Sequence, residues 1–163
     1  MEFLPGITRW FHLMAGVMWI GLLYYFNFVQ VAAMKAATAD KTDIALIGKH
    51  VAPRALLYFR WSAVVTWLTG AGLLGANFMA AFTFKPGYAM IGMGAWLGTI
   101  MLINVWALIW RNQKKILGMV PATDAEKVTA RRVAFLASRT NTMLSIPMLF
   151  FMAVGAHSGQ FGF

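Results

Sequence analysis

Two histidines stand out because the chain around them is so apolar. His12 opens the run HLMAGVMWIGLLYYFNFVQ, and no residue from Trp10 to Met34 carries a charge. His157 follows a second apolar stretch, SIPMLFFMAVGA, near the other end of the chain. A neutral imidazole offers one nitrogen lone pair. Two imidazoles facing each other across packed helices suit the axial positions of a non-covalent b-type haem. A plainer use is equally open, in which each ring hydrogen-bonds water or lipid headgroups at an interface. Met14 and Met18 place soft sulfur near His12, a set open to copper(I). Twelve methionines in so apolar a chain are otherwise packing material.

Arg60 and Arg139 form a second candidate group. Each lies one or two turns inside an apolar segment, FRWSAVVTWL and SRTNTMLSIPML. Cations at such depth are costly and mark functional sites by default. They are expected to face inward and hold an anion, such as haem propionates, a quinone oxygen or an anionic substrate, the alternative being that they snorkel to lipid phosphate. Asn27, Asn104 and Asn141 fall on the same half of their segments and suggest a polar inner pocket linked by interhelical hydrogen bonds. His50 lies in a charged connection and is expected to be solvated.

The elements that position these residues follow from composition. Hydrophobic residues make up 60% of the chain and charged residues 12%, with mean hydropathy +0.66, where soluble domains carry about a quarter charged residues. This is the composition of a polytopic membrane protein. The apolar runs exceed the roughly 20 residues that cross about 30 Å of hydrocarbon, and 163 residues leave room for four of them with short connections. The expected architecture is an all-α integral membrane four-helix bundle in a single domain over 1–163, with helices at about 9–34, 54–82, 89–110 and 124–156. The first run has Glu2 in place of a basic leader, so it is expected to be a span rather than a signal peptide.

Charge sets the expected orientation. Twelve of the fourteen basic residues lie in Lys35–Arg60 and Arg111–Arg139, and the opposite ends hold only Arg9 and Lys85. That asymmetry is the positive-inside pattern, so both basic segments are expected in the cytoplasm of a bacterial cell and both termini outside. A net charge of +9 therefore belongs to lipid headgroups and not to nucleic acid. Residues 35–53 are expected to form a short interfacial helix ending near Pro53. Pro86 and Gly87 make a tight turn, Thr123 or Asp124 is expected to cap the last helix, and Pro147 to kink it. Gly70, Gly72 and Gly75, and the pair Gly94 and Gly98, offer small faces for close helix packing, within the chain or against partner helices. The absence of cysteine excludes disulfides, thiolate metal sites and covalent c-type haem.

Four blocks, HLMAGVMWIGLLYYFNFVQ, PRALLYFRWSAVVTWLTG, NVWALIWRNQKKI and ASRTNTMLSIPMLFFMAVGAH, occur in order along nearly the whole chain. Their combination resembles the membrane domain of bacterial cytochrome-linked urate oxidases, the urate hydroxylases in which a helical membrane domain precedes a c-type cytochrome. More distantly, a histidine followed by W-x-G-x-L-Y is similar to four-helix membrane protoporphyrinogen oxidases and copper-resistance membrane proteins. The resemblance implies a redox function and a cofactor set of His12, His157, Arg60, Arg139 and Trp19, with His12 and His157 as metal ligands. It also implies a separate electron-accepting protein, a cytochrome or a larger membrane complex, since no cytochrome motif is present. A non-catalytic accessory subunit, a copper-handling protein and a homo-oligomer stay open as alternatives.

Overall fold

A computed structural model describes residues 3–43 and 45–156, and these form four helical rods. The first, α1, is α-helical over Phe3–Tyr24, widens to a π turn over Tyr25–Gln30 and continues through Val31–Ala39. It outruns the expected 9–34 at both ends. Arg9 does not interrupt it, and the alanine-rich VAAMKAATA has strong helix propensity. The rod stops at Asp40, beyond which Lys41 adopts φ 57°.

The second rod, α2, comprises a π turn Ile47–Val51, the helix Ala52–Leu74, a 3₁₀ turn Gly75–Asn77 and a last turn Phe78–Phe82. Pro53 thus opens the main helix and does not end a separate interfacial one, because its fixed φ and missing N–H are tolerated in a first helical turn. The wide turn before it runs directly into the helix, with the Ala52 N–H donating to the Ile47 carbonyl. Gly75, at φ +49°, begins the tighter 3₁₀ segment near the far end.

The third rod, α3, is helical over Ala89–Asn104, passes through a π turn Val105–Trp110 and ends in Arg111–Ile116. Gly118 closes it at φ +72°, where the Met119 N–H reaches the Lys114 carbonyl at 2.9 Å, a glycine-terminated C-cap. The fourth, α4, is one helix, Asp124–Ala156, continuous through Pro147. A capping box starts it: Thr123 Oγ1 accepts the Glu126 N–H at 3.2 Å while Glu126 Oε2 accepts the Thr123 N–H at 2.8 Å.

The rods pack in antiparallel pairs, α1 on α2 and α3 on α4, and the two pairs meet over Trp19, Leu23, Phe59, Met101, Val105 and Met148. Glycines set close approaches within and between the pairs. Gly94 lies against Met152 and Gly155 against Ile91 inside the α3–α4 pair, and Gly92 of α3 leaves no room for a Cβ beside the Ala81 carbonyl of α2. Of the small faces named above, Gly70 and Gly94 are used inside the chain, against His12 and Met152, whereas a Cβ at Gly75 or Gly98 would meet nothing within 4 Å. One end of the assembly carries His12, the Thr83–Tyr88 turn and the last turns of α4; the other carries the two basic segments.

Three rods are long and apolar enough to cross a membrane: Leu4–Ala39, Ile47–Phe82 and Ala89–Ile116. Their outer faces are apolar, with Leu13, Val17, Leu68, Ile100 and Ile103 all exposed. The fourth is less apolar because its first half carries Asp124, Glu126, Lys127, Arg131, Arg132 and Arg139 and its second half buries Asn141, Thr142 and Ser145, while Met143, Ile146 and Phe150 face outward.

Candidate functional site

His12 lies on α1 against the far half of α2. Its Nδ1 is 2.8 Å from the Thr66 carbonyl oxygen, and Thr69 Oγ1 lies 3.3 Å from the same nitrogen. A carbonyl oxygen can only accept, so Nδ1 carries the proton and the lone pair is on Nε2. The Thr66 carbonyl keeps its place because the helix is continuous there, and the Thr69 hydroxyl is itself turned back to the Val65 carbonyl at 2.6 Å. Gly70 makes the seat. A methyl group at that position would sit 2.9 Å from His12 Cε1 and 3.2 Å from Nδ1, so only glycine admits the ring in this pose. Among the described residues nothing hydrogen-bonds Nε2. A ring whose N–H is fixed on a backbone carbonyl, with the opposite nitrogen free, is the arrangement that metal-ligating histidines use.

The other expected site residues fall at different levels. His157 lies outside the described residues; α4 reaches Ala156 at the histidine end, where Gly155 packs on Ile91. Trp19 is 2% exposed in the core between the pairs, and its indole N–H has no acceptor among the described residues. Arg60 is six residues before Thr66, about 9 Å along the helix axis. Its guanidinium lies 3.7 Å over the Trp110 ring, toward the basic end and away from His12. Arg139 does not face the interior. It is exposed, over Phe135 of its own helix at 5.0 Å, because its position falls on the side of α4 opposite Asn141 and Ala137. Met14 and Met18 are on the exposed side of α1, whereas His12 is half-buried against α2. His50 is exposed in the wide turn before α2. Among the described residues there is no group of three or more His, Cys, Asp or Glu side chains able to hold a metal ion by themselves.

The three asparagines do converge, as a packed layer. Asn104 Nδ2 donates to Asn141 Oδ1 at 2.6 Å and to the Ala137 carbonyl at 2.9 Å, and Asn141 Nδ2 returns a bond to the Met101 carbonyl at 3.0 Å. Asn27 Nδ2 donates to Ser138 Oγ at 2.7 Å, and Tyr24 and Ser145 join their hydroxyls at 3.0 Å. These bonds tie α1 and α3 to α4. Two of the π turns adjoin the layer, since Asn27 lies within Tyr25–Gln30 and Asn104 immediately precedes Val105–Trp110. Such wide turns recur at functional positions in helical proteins.

Sequence reasoning missed Thr66, Thr69 and Gly70. Threonine and glycine in an apolar helix have ordinary packing uses, and only the register between α1 and α2 brings them to His12. The spacing Thr66, Thr69, Gly70 on one helical face was the available signal.

The family model of the urate oxidase N-terminal region matches residues 73–162, more than half of the chain. The chain belongs to the urate oxidase N-terminal family. The match covers the end of α2 and all of α3 and α4, and so includes Asn104, Arg139, Asn141 and His157. His12, Trp19 and Arg60 precede it. Comparisons with curated proteins and with solved structures find no match.

Proposed function

We propose that this urate oxidase-like chain is a four-span protein of the bacterial cytoplasmic membrane, with both termini outside the cytoplasm. It binds b-type haem near the outer face and passes electrons to a separate protein partner. The observation that carries the reading is the His12 seat. Nδ1–H is held on the Thr66 carbonyl and the ring is fitted onto Gly70, so Nε2 is presented with its tautomer already set. His157, one residue beyond the described end of α4, is the opposite ligand in this proposal.

The residues fit the group in chemical type. A haem iron supplies one-electron transfer when bound. The chain's own contribution is to fix the imidazole, to shield it with the apolar faces of α1 and α2, and to keep the four rods in register through the asparagine layer. Trp19, buried in the core below His12, would back the group from the core side, its indole N–H being without an acceptor among the described residues.

The test is the visible spectrum of the protein purified in mild detergent. A Soret band with reducible α and β bands is expected, and a colourless protein overturns the proposal. Orientation is tested separately. Single cysteines at Lys41 and Lys85 are expected to react with impermeant reagents from opposite faces, Lys85 from outside.

A further inference from the structure

At the basic end, Arg60 and two tryptophans of α3 form a feature that the histidine site does not use. Arg60 crosses from α2 to place its guanidinium carbon 3.7 Å over the Trp110 ring, and its neighbour Trp61 meets Trp106 edge-to-face with centroids 5.5 Å apart. The wide turn Val105–Trp110 holds more residues per turn than an α-helix, so Trp106 and Trp110, four apart, stand close to one line facing α2. Arg60, Trp61, Trp106 and Trp110 thus form one cation–aromatic cluster between α2 and α3, with the half-exposed Trp61 ring on its lipid side.

No hydrogen bond from the Arg60 guanidinium is found among the described residues, so its N–H groups are open to an anion that its contact with the ring does not replace. Among the described residues no carboxylate pairs with Arg60: Glu126 is paired with Lys115 and Asp124 with Lys127. Arg111 and Lys114 follow Trp110 directly, so the surroundings add positive charge. The Trp106 indole N–H is also without an acceptor among the described residues. An uncompensated cation beside apolar rings calls for a ligand with an anionic head and a hydrocarbon tail.

We propose that this cluster is a binding site for one anionic phospholipid. Its phosphate sits on the Arg60 guanidinium and its acyl chain lies along Trp61. The basic neighbours select anionic over zwitterionic headgroups, and the contact with Trp110 distinguishes the site from ordinary snorkelling by tying the guanidinium to α3. The proposal stands independently of the haem reading.

Native mass spectrometry of the detergent-solubilised protein, titrated with phosphatidylglycerol or phosphatidylcholine, tests it. The parent is expected to retain one phosphatidylglycerol at concentrations where phosphatidylcholine is lost. Arg60→Ala is expected to lose that preference, and Arg60→Lys, which keeps the charge without the stacking plane, to weaken it severalfold. Arg139→Ala removes the same charge elsewhere and is expected to bind as the parent does. Equal retention of both lipids by the parent, equal loss in the Arg60→Ala and Arg139→Ala variants, or displacement of the lipid by inorganic phosphate overturns the proposal. If Arg60→Ala fails to fold, Arg60→Lys and Trp110→Leu carry the test; parent-like lipid preference in both also overturns it.

Discussion

The histidine seat and the asparagine layer are both polar insertions in an apolar interior, and they are satisfied in opposite ways. In the layer, amide meets amide and hydroxyl meets hydroxyl. Asn104 and Asn141 exchange three bonds among themselves and the facing backbones, at 2.6 to 3.0 Å. At the seat, one ring nitrogen is tied down and the other is left without a partner among the described residues. The layer is a fastener, because all three asparagine amide nitrogens and the paired hydroxyls are answered within the protein, with Asn104 Oδ1 the one buried atom of the layer that lacks a partner among the described residues. A half-answered group, held rigidly, is arranged for something outside the chain. Perturbing the layer should therefore unfold the protein, and perturbing the seat should empty it.

The largest effect on stability is expected at the layer. Asn141 is fully buried, and Asn141→Leu removes its bonds to Asn104 and to Met101. A loss of about 1–3 kcal/mol is predicted, since Asn104, whose Oδ1 already lacks a partner among the described residues, then loses an acceptor for its Nδ2 as well. That exceeds the roughly 0.6 kcal/mol typical of one interhelical hydrogen bond in a membrane. Reversible unfolding in mixed detergent measures it. The double variant with Asn104→Leu should cost less than the sum of the two single changes, and additivity would show that the asparagines are not coupled.

Gly70→Ala sharpens the contrast from the other side. The added methyl displaces the His12 ring, so cofactor retention should fall by about 10–100-fold, the range seen when an orienting group of a metal ligand is disturbed. The unfolding free energy should change less than for Asn141→Leu. Haem content and unfolding measured on the same preparations decide this, and unchanged haem content would mean that the seat does not orient the ligand.

The smallest effect lies outside both regions, at the start of α4. Glu126 is held below the usual carboxylate range, first by the Thr123 backbone N–H, then by the Thr123 hydroxyl and by Lys115. Its folded-state affinity for protons is thus lower than in the unfolded chain. The stabilisation is present above the ordinary carboxylate value and is lost as pH falls through the folded value. Acidification to about pH 3, below the ordinary carboxylate value near 4.3, should increase amide exchange over 124–129. Glu126→Gln should remove that pH dependence while leaving the layer and the seat unaffected.

Much of this architecture was legible in the sequence. Apolar run length places the four rods, and the Asp124–Ala156 helix runs over the expected 124–156. His12 and the three asparagines announce themselves as polar residues in apolar company. Less legible was anything that depends on how one helix faces the next. Arg139 and Asn141 are two residues apart on α4, yet one is exposed and the other fully buried. The interhelical register that brings Gly70 under His12 has no trace in local composition. Residues 35–53 misled for a different reason: their charges suggested an interfacial helix, but Pro53 is as well suited to opening a helix as to ending one.

The measurement that bears most directly on the central claim is the haem stoichiometry and low-spin spectrum of His12→Ala beside the parent, with and without added imidazole. His12→Ala is expected to lose the low-spin Soret signature and to regain it in part when imidazole enters the space left by the ring. A parent without haem, or a His12→Ala protein with parental haem content and an unchanged spectrum, would contradict the assignment of Nε2 as an axial ligand.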